Sequence, residues 1–264
     1  METENTKHTT RWYQNLWAAL IFFTRLPFWR IYQPPKESYS ALVEYWPLAG
    51  WITGGIMAAV LYVGSLFLPW LVTVVLAIAV RMLVTGALHE DGLADFFDGF
   101  GGGSDRDRIL AIMKDSHIGT YGVLGLVIYV LLLGSSLFCL APTVAALAVF
   151  AADPFAKMAS SQLVMMLPYA RREEESKNKT VYRKFSMPAA MGLFLQGLLP
   201  VLPLLILTEI TWYYVIVIPY VIMYFLYLFI RRRLGGYTGD CCGAVCLLVE
   251  LSVYVIAASL MFRG

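Results

Sequence analysis

One short segment of the sequence concentrates carboxylates at a spacing that suits the chemistry of a divalent cation. Residues 89 to 103 read HEDGLADFFDGFGGG, and Asp91, Asp95 and Asp98 stand at positions i, i+4 and i+7. On a helix, side chains with this spacing share one face. Mg²⁺ is typically held by one or two carboxylates together with water and substrate phosphates. The segment therefore predicts a metal site formed by the three aspartates, and a solvated acidic loop end is the alternative.

Glycines and basic residues that follow the acidic segment add groups that bind phosphate. The backbone N–H groups of Gly101 and Gly102 are able to approach an anion closely, although a flexible break between two helices is the simpler explanation of the glycine run. The next helix is expected to begin at Ser104, whose hydroxyl suits an N-cap, and to lie along the membrane interface. It carries three basic residues that suit either phosphate contacts or anchoring at the membrane surface: Arg106, Arg108 and Lys114.

The composition places this segment inside a membrane protein. The chain has 264 residues, of which 59% are hydrophobic and 14% are charged, whereas soluble domains carry about 25% charged residues. Residues 89–120, the predicted catalytic segment, are too few for a separate core, so residues 1–264 are expected to form one polytopic domain in the lipid bilayer. A net charge of +2 gives no indication of a nucleic-acid partner.

The hydropathy pattern predicts an all-α fold with about seven transmembrane helices, within a range of six to eight. An N-terminal interfacial segment over residues 11–29 is expected to precede them, because apolar and charged residues alternate there. Each predicted span supplies roughly 20 apolar residues, the length that crosses the hydrocarbon core. The windows are 47–67, 70–89, 121–141, 144–168, 188–207, 212–230 and 241–262.

Basic residues predict the orientation. If the N-terminus faces the cytoplasm, residues 90–120, the loop RREEESKNKTVYRK and the RRR of residues 231–233 all lie on the cytoplasmic side. The positive-inside rule is then satisfied throughout the chain. The sequence therefore predicts a multi-pass protein of the cytoplasmic (inner) membrane with its active site on the cytoplasmic side.

Four short motifs together resemble the cobalamin synthase family, the adenosylcobinamide-GDP ribazoletransferases. They are FFTRLP at 22–27, HEDGLAD at 89–95, MKDSHIG at 113–119 and GGYTGD at 235–240, and the resemblance covers nearly the whole chain. It implies an integral membrane, Mg²⁺-dependent enzyme. The implied reaction joins alpha-ribazole, or its 5'-phosphate, to adenosylcobinamide-GDP and gives adenosylcobalamin, or its phosphate, and GMP.

The resemblance also implies roles for individual residues. His89 becomes the candidate base, or a partner of the metal ligands, Asp98 a further catalytic candidate, and Asp240 a contribution to the site from a distant span. On a continuous helix His89 would point away from the aspartates, so direct action requires the backbone to break near Gly92. Three residues of the MKDS motif are implied to position phosphate or to order the interfacial helix: Lys114, Asp115 and Ser116.

Two other functions remain as alternatives. A CDP-alcohol phosphotransferase also gathers aspartates around a metal, but its DGxxAR spacing is not met because Asp95 follows Ala94. A transporter would use the charged residues Asp153, Lys157 and Glu250 within the spans, although Asp153 and Lys157 are four residues apart and are equally expected to neutralise each other. The sequence leaves open whether the acceptor is alpha-ribazole or its phosphate, and whether the protein is a homo-oligomer.

Overall fold

A computed structural model describes residues 10–171 and 182–263, and most of the loop RREEESKNKTVYRK lies outside these ranges. The described residues form helices and no β-strand, which confirms the predicted all-α class. The α-helices in these ranges are α1 (Trp12–Phe23), α2 (Trp46–Gly64), α3 (Trp70–Thr85), α4 (Leu88–Gly102), α5 (Arg106–Lys114), α6 (Thr120–Phe138), α7 (Pro142–Ser161), α8 (Leu163–Met166), α9 (Met187–Leu198), α10 (Val201–Leu207), α11 (Trp212–Leu234) and α12 (Gly239–Arg263).

The number of membrane spans agrees with the prediction. In the described part of the chain, six helical segments are long and apolar enough to cross a bilayer, and the bent pair α3 and α4 would make a seventh. The protein is therefore a multi-pass membrane protein. The six segments are Lys36–Gly64, Thr120–Phe138, Pro142–Met166, Met187–Leu207, Trp212–Leu234 and Gly239–Phe262.

The expected span over residues 70–89 is wrong in one respect, because the helix breaks before its end. Helix α3 stops at Thr85, and Gly86 and Ala87 both adopt left-handed backbone conformations, with φ of 66° and 53°. Helix α4 then departs at 91° to α3. A side chain at Gly86 would meet the Arg25 guanidinium, with a Cβ 2.2 Å from Nε. The corner thus requires a glycine at position 86, and nothing in the surrounding apolar run indicates this requirement.

The two interfacial elements are present as helices. Helix α1 buries Ala18, Ala19 and Phe23 and packs against a 3₁₀ helix over Lys36–Tyr45, which continues into α2. Helix α5 is amphipathic and exposes most of its polar residues.

The N-cap of α5 differs from the prediction. The helix begins at Arg106, and the carboxylate of Asp105, not the hydroxyl of Ser104, accepts a hydrogen bond of 3.0 Å from the backbone N–H of Arg108. Ser104 instead donates its hydroxyl hydrogen to Asp105. A carboxylate is also favoured at a helix N-terminus by the helix dipole, which explains the shift by one residue.

Three connections of the bundle meet at one end. The Arg106 guanidinium on α5 donates hydrogen bonds to the carbonyl oxygens of Leu234, at the end of α11, and Ala170, after α8. Arg233 in turn donates to the carbonyl oxygen of Gly103, 2.8 Å away. Polar segments that are far apart in the sequence are therefore held together on the same side of the bundle.

The centre of the bundle contains charged residues that pair with one another. Arg81 of α3 lies 2.6 Å from a Glu250 oxygen of α12 and 3.3 Å from a Glu90 oxygen of α4, and it also donates to the Tyr129 hydroxyl. All four side chains are buried. Since isolated charges in hydrocarbon are costly, this network ties α3, α4, α6 and α12 to each other.

We expect the substitution Arg81→Met to destabilise the folded protein by about 3 to 5 kcal/mol, because Glu90 and Glu250 would be left buried without their cation. The measurement is the thermal unfolding midpoint of the purified protein in detergent. The matched control is Arg232→Met, since Arg232 is exposed at the end of α11. An Arg81→Met protein as stable as the wild type would contradict this account of the core.

Candidate active site

A cavity of about 200 Å³ opens at the end of the bundle where α4 and α12 begin. Its walls come from the C-terminal end of α1, the start of α2, the first turns of α4 and α12, and the segment that follows α8. The charged and ionisable side chains that line it are His89, Asp91, Tyr169, Arg171, Tyr182, Asp240 and Cys242.

Close packing of α4 against α12 brings these side chains together. A Cβ at Gly92 would lie 3.1 Å from the Cα of Asp240, so the two helices approach each other through a glycine at this point. Asp91 and Asp240, which are far apart in the sequence, consequently line the same cavity.

A short backbone pairing adds Arg171 to the site. The Tyr237 N–H donates to the Pro168 carbonyl oxygen, and the Ala170 N–H donates to the Tyr237 carbonyl oxygen, at 2.9 and 2.8 Å. This pairing fixes the segment after α8 beside the first residues of α12. As a result, a guanidinium nitrogen of Arg171 lies 3.7 Å from an Asp240 carboxylate oxygen.

Several polar atoms at the cavity have no hydrogen-bond partner within the described residues. They are Nε2 of His89, Nε1 of Trp46, and Nε and Nη2 of Arg171. His89 is only 4% exposed and Arg171 only 9% exposed. Buried polar groups are nearly always hydrogen-bonded in folded proteins, so these atoms are positioned to accept a partner from the cavity, whether water, an ion or a polar ligand.

One wall of the cavity is aromatic. The rings of Trp46 and His89 are nearly parallel, with centroids 5.6 Å apart and planes at 9°. Phe23 stacks on Trp46 with centroids 5.0 Å apart and planes at 12°. The site therefore combines a flat apolar surface, which suits a planar base, with carboxylates and a cation.

Three predicted site residues come together in this cavity, namely His89, Asp91 and Asp240. The backbone does not break near Gly92, the condition set above for direct action of His89, because α4 runs without interruption from Leu88 to Gly102. The break lies at the corner before α4, so that the cavity adjoins its first turn. His89 and Asp91 both reach the cavity from that turn.

Asp98 lies at a different place on α4. Its two carboxylate oxygens accept hydrogen bonds from the backbone N–H groups of Gly119 and Gly122, at 2.6 and 2.8 Å. These N–H groups belong to the start of α6, where the helix dipole favours a negative charge. Since both oxygens are engaged, a catalytic or metal-binding role for Asp98, which stays a prediction, would compete with this contact.

The three aspartates of α4 do not form one compact cluster. Among the residues that the structure describes, no group of three or more His, Cys, Asp or Glu side chains is arranged to hold a metal ion. Asp91 is exposed and lines the cavity, Asp95 is half-buried one turn later, and Asp98 lines a second, more open pocket. The predicted site with three aspartates remains untested, and the geometry favours a smaller set of ligands.

The predicted phosphate contacts mostly lie outside the cavity. Arg106 is engaged with the backbone of α11 and the segment after α8, while Lys114 and Ser116 are exposed at the end of α5. Gly101 and Gly102 form the last turn of α4 and not an open loop. Their roles in substrate binding stay predictions.

Arg108 and Asp115 line the second pocket together with Gly102 and His117. The ring Nδ1 of His117 lies 2.6 Å from an Asp115 carboxylate oxygen, and this hydrogen bond holds the pKa of the Asp115 carboxyl below its ordinary value. An ionised Asp115 beside Arg108 gives this pocket a mixed charge, which favours a structural role for the MKDS motif over a strong anion site.

Sequence reasoning missed Arg171 and Trp46. In the sequence Arg171 is the first residue of a basic loop that follows a span, a position typical of membrane anchoring, and Trp46 begins an apolar stretch. No spacing rule connects them to the HEDGLAD motif. The one indication in the sequence was the GGYTGD motif. Its Tyr237 forms backbone hydrogen bonds with Pro168 and Ala170, the residues just before Arg171.

The contact of Asp98 with α6 leads to a prediction about stability. Asp98→Ala is expected to destabilise the protein by about 1 to 3 kcal/mol, because two N–H groups at the start of α6 would lose their acceptor. The thermal midpoint in detergent measures this loss. Asp107→Ala is the matched control, since Asp107 is an exposed residue of α5. An unchanged midpoint for Asp98→Ala would show that water replaces the carboxylate without loss.

Comparison with known proteins gives a consistent result. The chain matches the family described as cobalamin-5-phosphate synthase over residues 15–258. It is 34% identical to the adenosylcobinamide-GDP ribazoletransferase of Shewanella baltica (strain OS155) over 242 residues, which cover 90% of this chain and 91% of the relative. The protein of the same name from Shewanella frigidimarina is 34% identical over 254 residues, covering 93% and 95% of the two chains. No solved structure matches this chain.

Proposed function

The chain belongs to the cobalamin-5-phosphate synthase family, and we propose that the cavity between α4 and α12 is the active site of its adenosylcobinamide-GDP ribazoletransferase activity. The observation that carries this proposal is the meeting of His89, Asp91, Arg171 and Asp240 at one cavity. Carboxylates, a buried cation and an imidazole whose Nε2 has no hydrogen-bond partner among the described residues suit a transfer at a pyrophosphate.

The proposed reaction is a displacement at phosphorus. A ribose hydroxyl oxygen of alpha-ribazole, or of its 5'-phosphate, forms a bond to the phosphorus that is attached to cobinamide. The bond from this phosphorus to the bridging oxygen breaks, and GMP leaves with that oxygen. The hydroxyl proton passes to a base, and the products are adenosylcobalamin, or its phosphate, and GMP.

His89 is the proposed base. Its Nε2 has no hydrogen-bond partner in the described structure, and its ring is fixed by stacking on Trp46. A base must lie within hydrogen-bond reach of the proton that it accepts, and an imidazole held rigidly at the cavity wall meets the geometric part of this requirement. The aromatic wall beside it would support the planar base of the ribazole.

The residues at the cavity fit a magnesium ion that has few protein ligands. Asp91 is an exposed carboxylate at the cavity, and Asp240, whose side chain is 12% exposed, is a second carboxylate there. Mg²⁺ typically binds one or two carboxylates and fills its other positions with water and substrate phosphates. Asp91 and Asp240 would hold the ion, with Asp95 one turn away from Asp91. When bound, the ion would neutralise charge that develops on the phosphate oxygens.

The proposed location is the inner membrane, with the cavity on the cytoplasmic side. The basic residues at the ends of α5 and α11 lie at the same end of the bundle as the cavity, as the hydrogen bonds of Arg106 and Arg233 indicate. Under the positive-inside rule, that end faces the cytoplasm.

The test of the function is turnover by the purified protein in detergent. With alpha-ribazole, adenosylcobinamide-GDP and Mg²⁺, we expect GMP to be released, and excess EDTA is expected to stop its release until Mg²⁺ is restored. Alpha-ribazole 5'-phosphate is assayed in parallel to identify the acceptor. Absence of GMP with both acceptors would overturn the proposal, and release of CMP from a CDP-alcohol would support the phosphotransferase alternative instead.

A further inference from the structure

We propose that Arg171 and the first turn of α12 form a phosphate-binding subsite, which holds the nucleotide phosphate that leaves as GMP. This inference rests on the function proposed above and assigns one part of the substrate to one part of the cavity.

The state of the Arg171 side chain is the first argument. Its guanidinium is nine-tenths buried, yet Nε and Nη2 have no hydrogen-bond partner within the described residues. The Asp240 carboxylate, 3.7 Å from Nη2, orients the group electrostatically but is beyond hydrogen-bond distance. A buried cation with unmet donors is costly, and an anion with several oxygens would satisfy those donors at once. The planar fork of arginine fits phosphate oxygens in pairs.

The start of α12 is the second argument. This helix has 25 residues, and Gly239, Asp240 and Gly243 from its first turns line the same cavity as Arg171. The Cys241 N–H of this first turn is capped by the Thr238 hydroxyl oxygen, 3.2 Å away, so the favourable contribution to an anion comes chiefly from the partial positive charge at the start of a long helix. Space at Gly239 is open, since a Cβ there would meet nothing within 4 Å.

The neighbouring carboxylates favour the pyrophosphate of adenosylcobinamide-GDP as the source of this phosphate. A pyrophosphate offers one phosphate to the metal that Asp91 and Asp240 would hold and the other to Arg171. The 5'-phosphate of the alternative acceptor has the same chemistry. The experiment must therefore separate these two sources.

The experiment compares Arg171→Met and Arg171→Lys with the wild type in detergent. Equilibrium dialysis with labelled GMP measures binding without turnover, and we expect Arg171→Met to weaken GMP binding about tenfold or more, as loss of charged hydrogen bonds predicts. The KM for adenosylcobinamide-GDP is expected to rise by a similar factor, whereas the KM for alpha-ribazole stays within about twofold. Arg171→Lys keeps the charge but lacks the planar guanidinium, so its GMP affinity should lie between those of the wild type and Arg171→Met. Arg232→Met, an exposed cation at the same end of the bundle, is expected to behave as the wild type.

The outcomes separate this subsite from the function itself. Unchanged GMP binding in Arg171→Met would overturn the subsite even if the protein turns over its substrates. A rise in KM that affects only alpha-ribazole 5'-phosphate would assign Arg171 to the acceptor and overturn the present assignment. If Arg171→Met does not fold, as its thermal midpoint would show, Arg171→Lys decides the question: wild-type GMP binding by a folded Arg171→Lys protein overturns the proposal, and weakened binding supports it. Failure of the wild type to release GMP would count against the function, while its affinity for GMP would still report on the subsite.

Discussion

Asp91→Asn is expected to lower the turnover number by roughly 10²- to 10³-fold, the range seen when one group that stabilises developing charge is removed. Asp91 is an exposed carboxylate at the cavity. Its neighbours His89 and Gly92 pack against α12 and so hold this part of α4 in place. Asparagine has nearly the same shape but lacks the negative charge that a magnesium ion requires. The measurement is GMP release at saturating substrate, together with the thermal midpoint, which we expect to stay unchanged.

The controls for Asp91 separate a local effect from a general loss of charge. Asp107→Asn removes one exposed carboxylate of α5, away from the cavity, and is expected to leave turnover unchanged. Asp91→Glu keeps the charge but moves it, so it should raise the Mg²⁺ concentration needed for half-maximal activity. Full turnover by Asp91→Asn would show that the metal, if required, is held elsewhere.

The membrane fold was predictable because hydropathy reports directly on the cost of placing residues in hydrocarbon. The broken span was not, since Gly86 and Ala87 occur inside a continuous apolar run and adopt left-handed conformations at a corner where Arg25 packs closely against Gly86. Local sequence identifies what is buried in lipid. It does not identify where tertiary contacts bend a helix.

The aspartates of α4 illustrate the same division for the site. Their spacing predicted one helical face, but it gave no information about which helices cover that face. Helix α12 leaves Asp91 at the cavity, whereas the start of α6 takes up both oxygens of Asp98. Arg171 escaped prediction for the related reason that its position depends on a backbone pairing between distant segments.

The charged pair within α7 follows the expectation that Asp153 and Lys157, four residues apart, neutralise each other. Asp153 and Lys157 form a buried ion pair with each other, and Thr53 of α2 donates a hydrogen bond to the other Asp153 oxygen. Both charges are thereby matched inside the bundle, as is required in a membrane. The pairing accounts for these residues without the relay that a transporter would need.

His89→Phe is expected to reduce turnover by about 10²- to 10⁴-fold, the usual contribution of a general base, while the fold is retained. Phenylalanine preserves a flat ring beside Phe23 and Trp46, whose contacts with His89 shape the cavity wall, but it removes both nitrogens. Loss of the base should appear in the turnover number more than in the binding of GMP, because binding depends on other groups. GMP release and equilibrium dialysis with labelled GMP measure the two quantities separately.

A further variant, His89→Ala, together with added imidazole, decides whether the nitrogen or the ring of His89 matters. His89→Ala removes both, so it should lower the thermal midpoint as well as turnover, and the difference from His89→Phe measures the packing contribution alone. Added imidazole is expected to restore part of the turnover of His89→Ala, since the cavity left by the ring admits a small base, and none of that of His89→Phe, where the ring fills the space. Turnover near the wild-type level in His89→Phe would assign His89 to the aromatic wall and require another base.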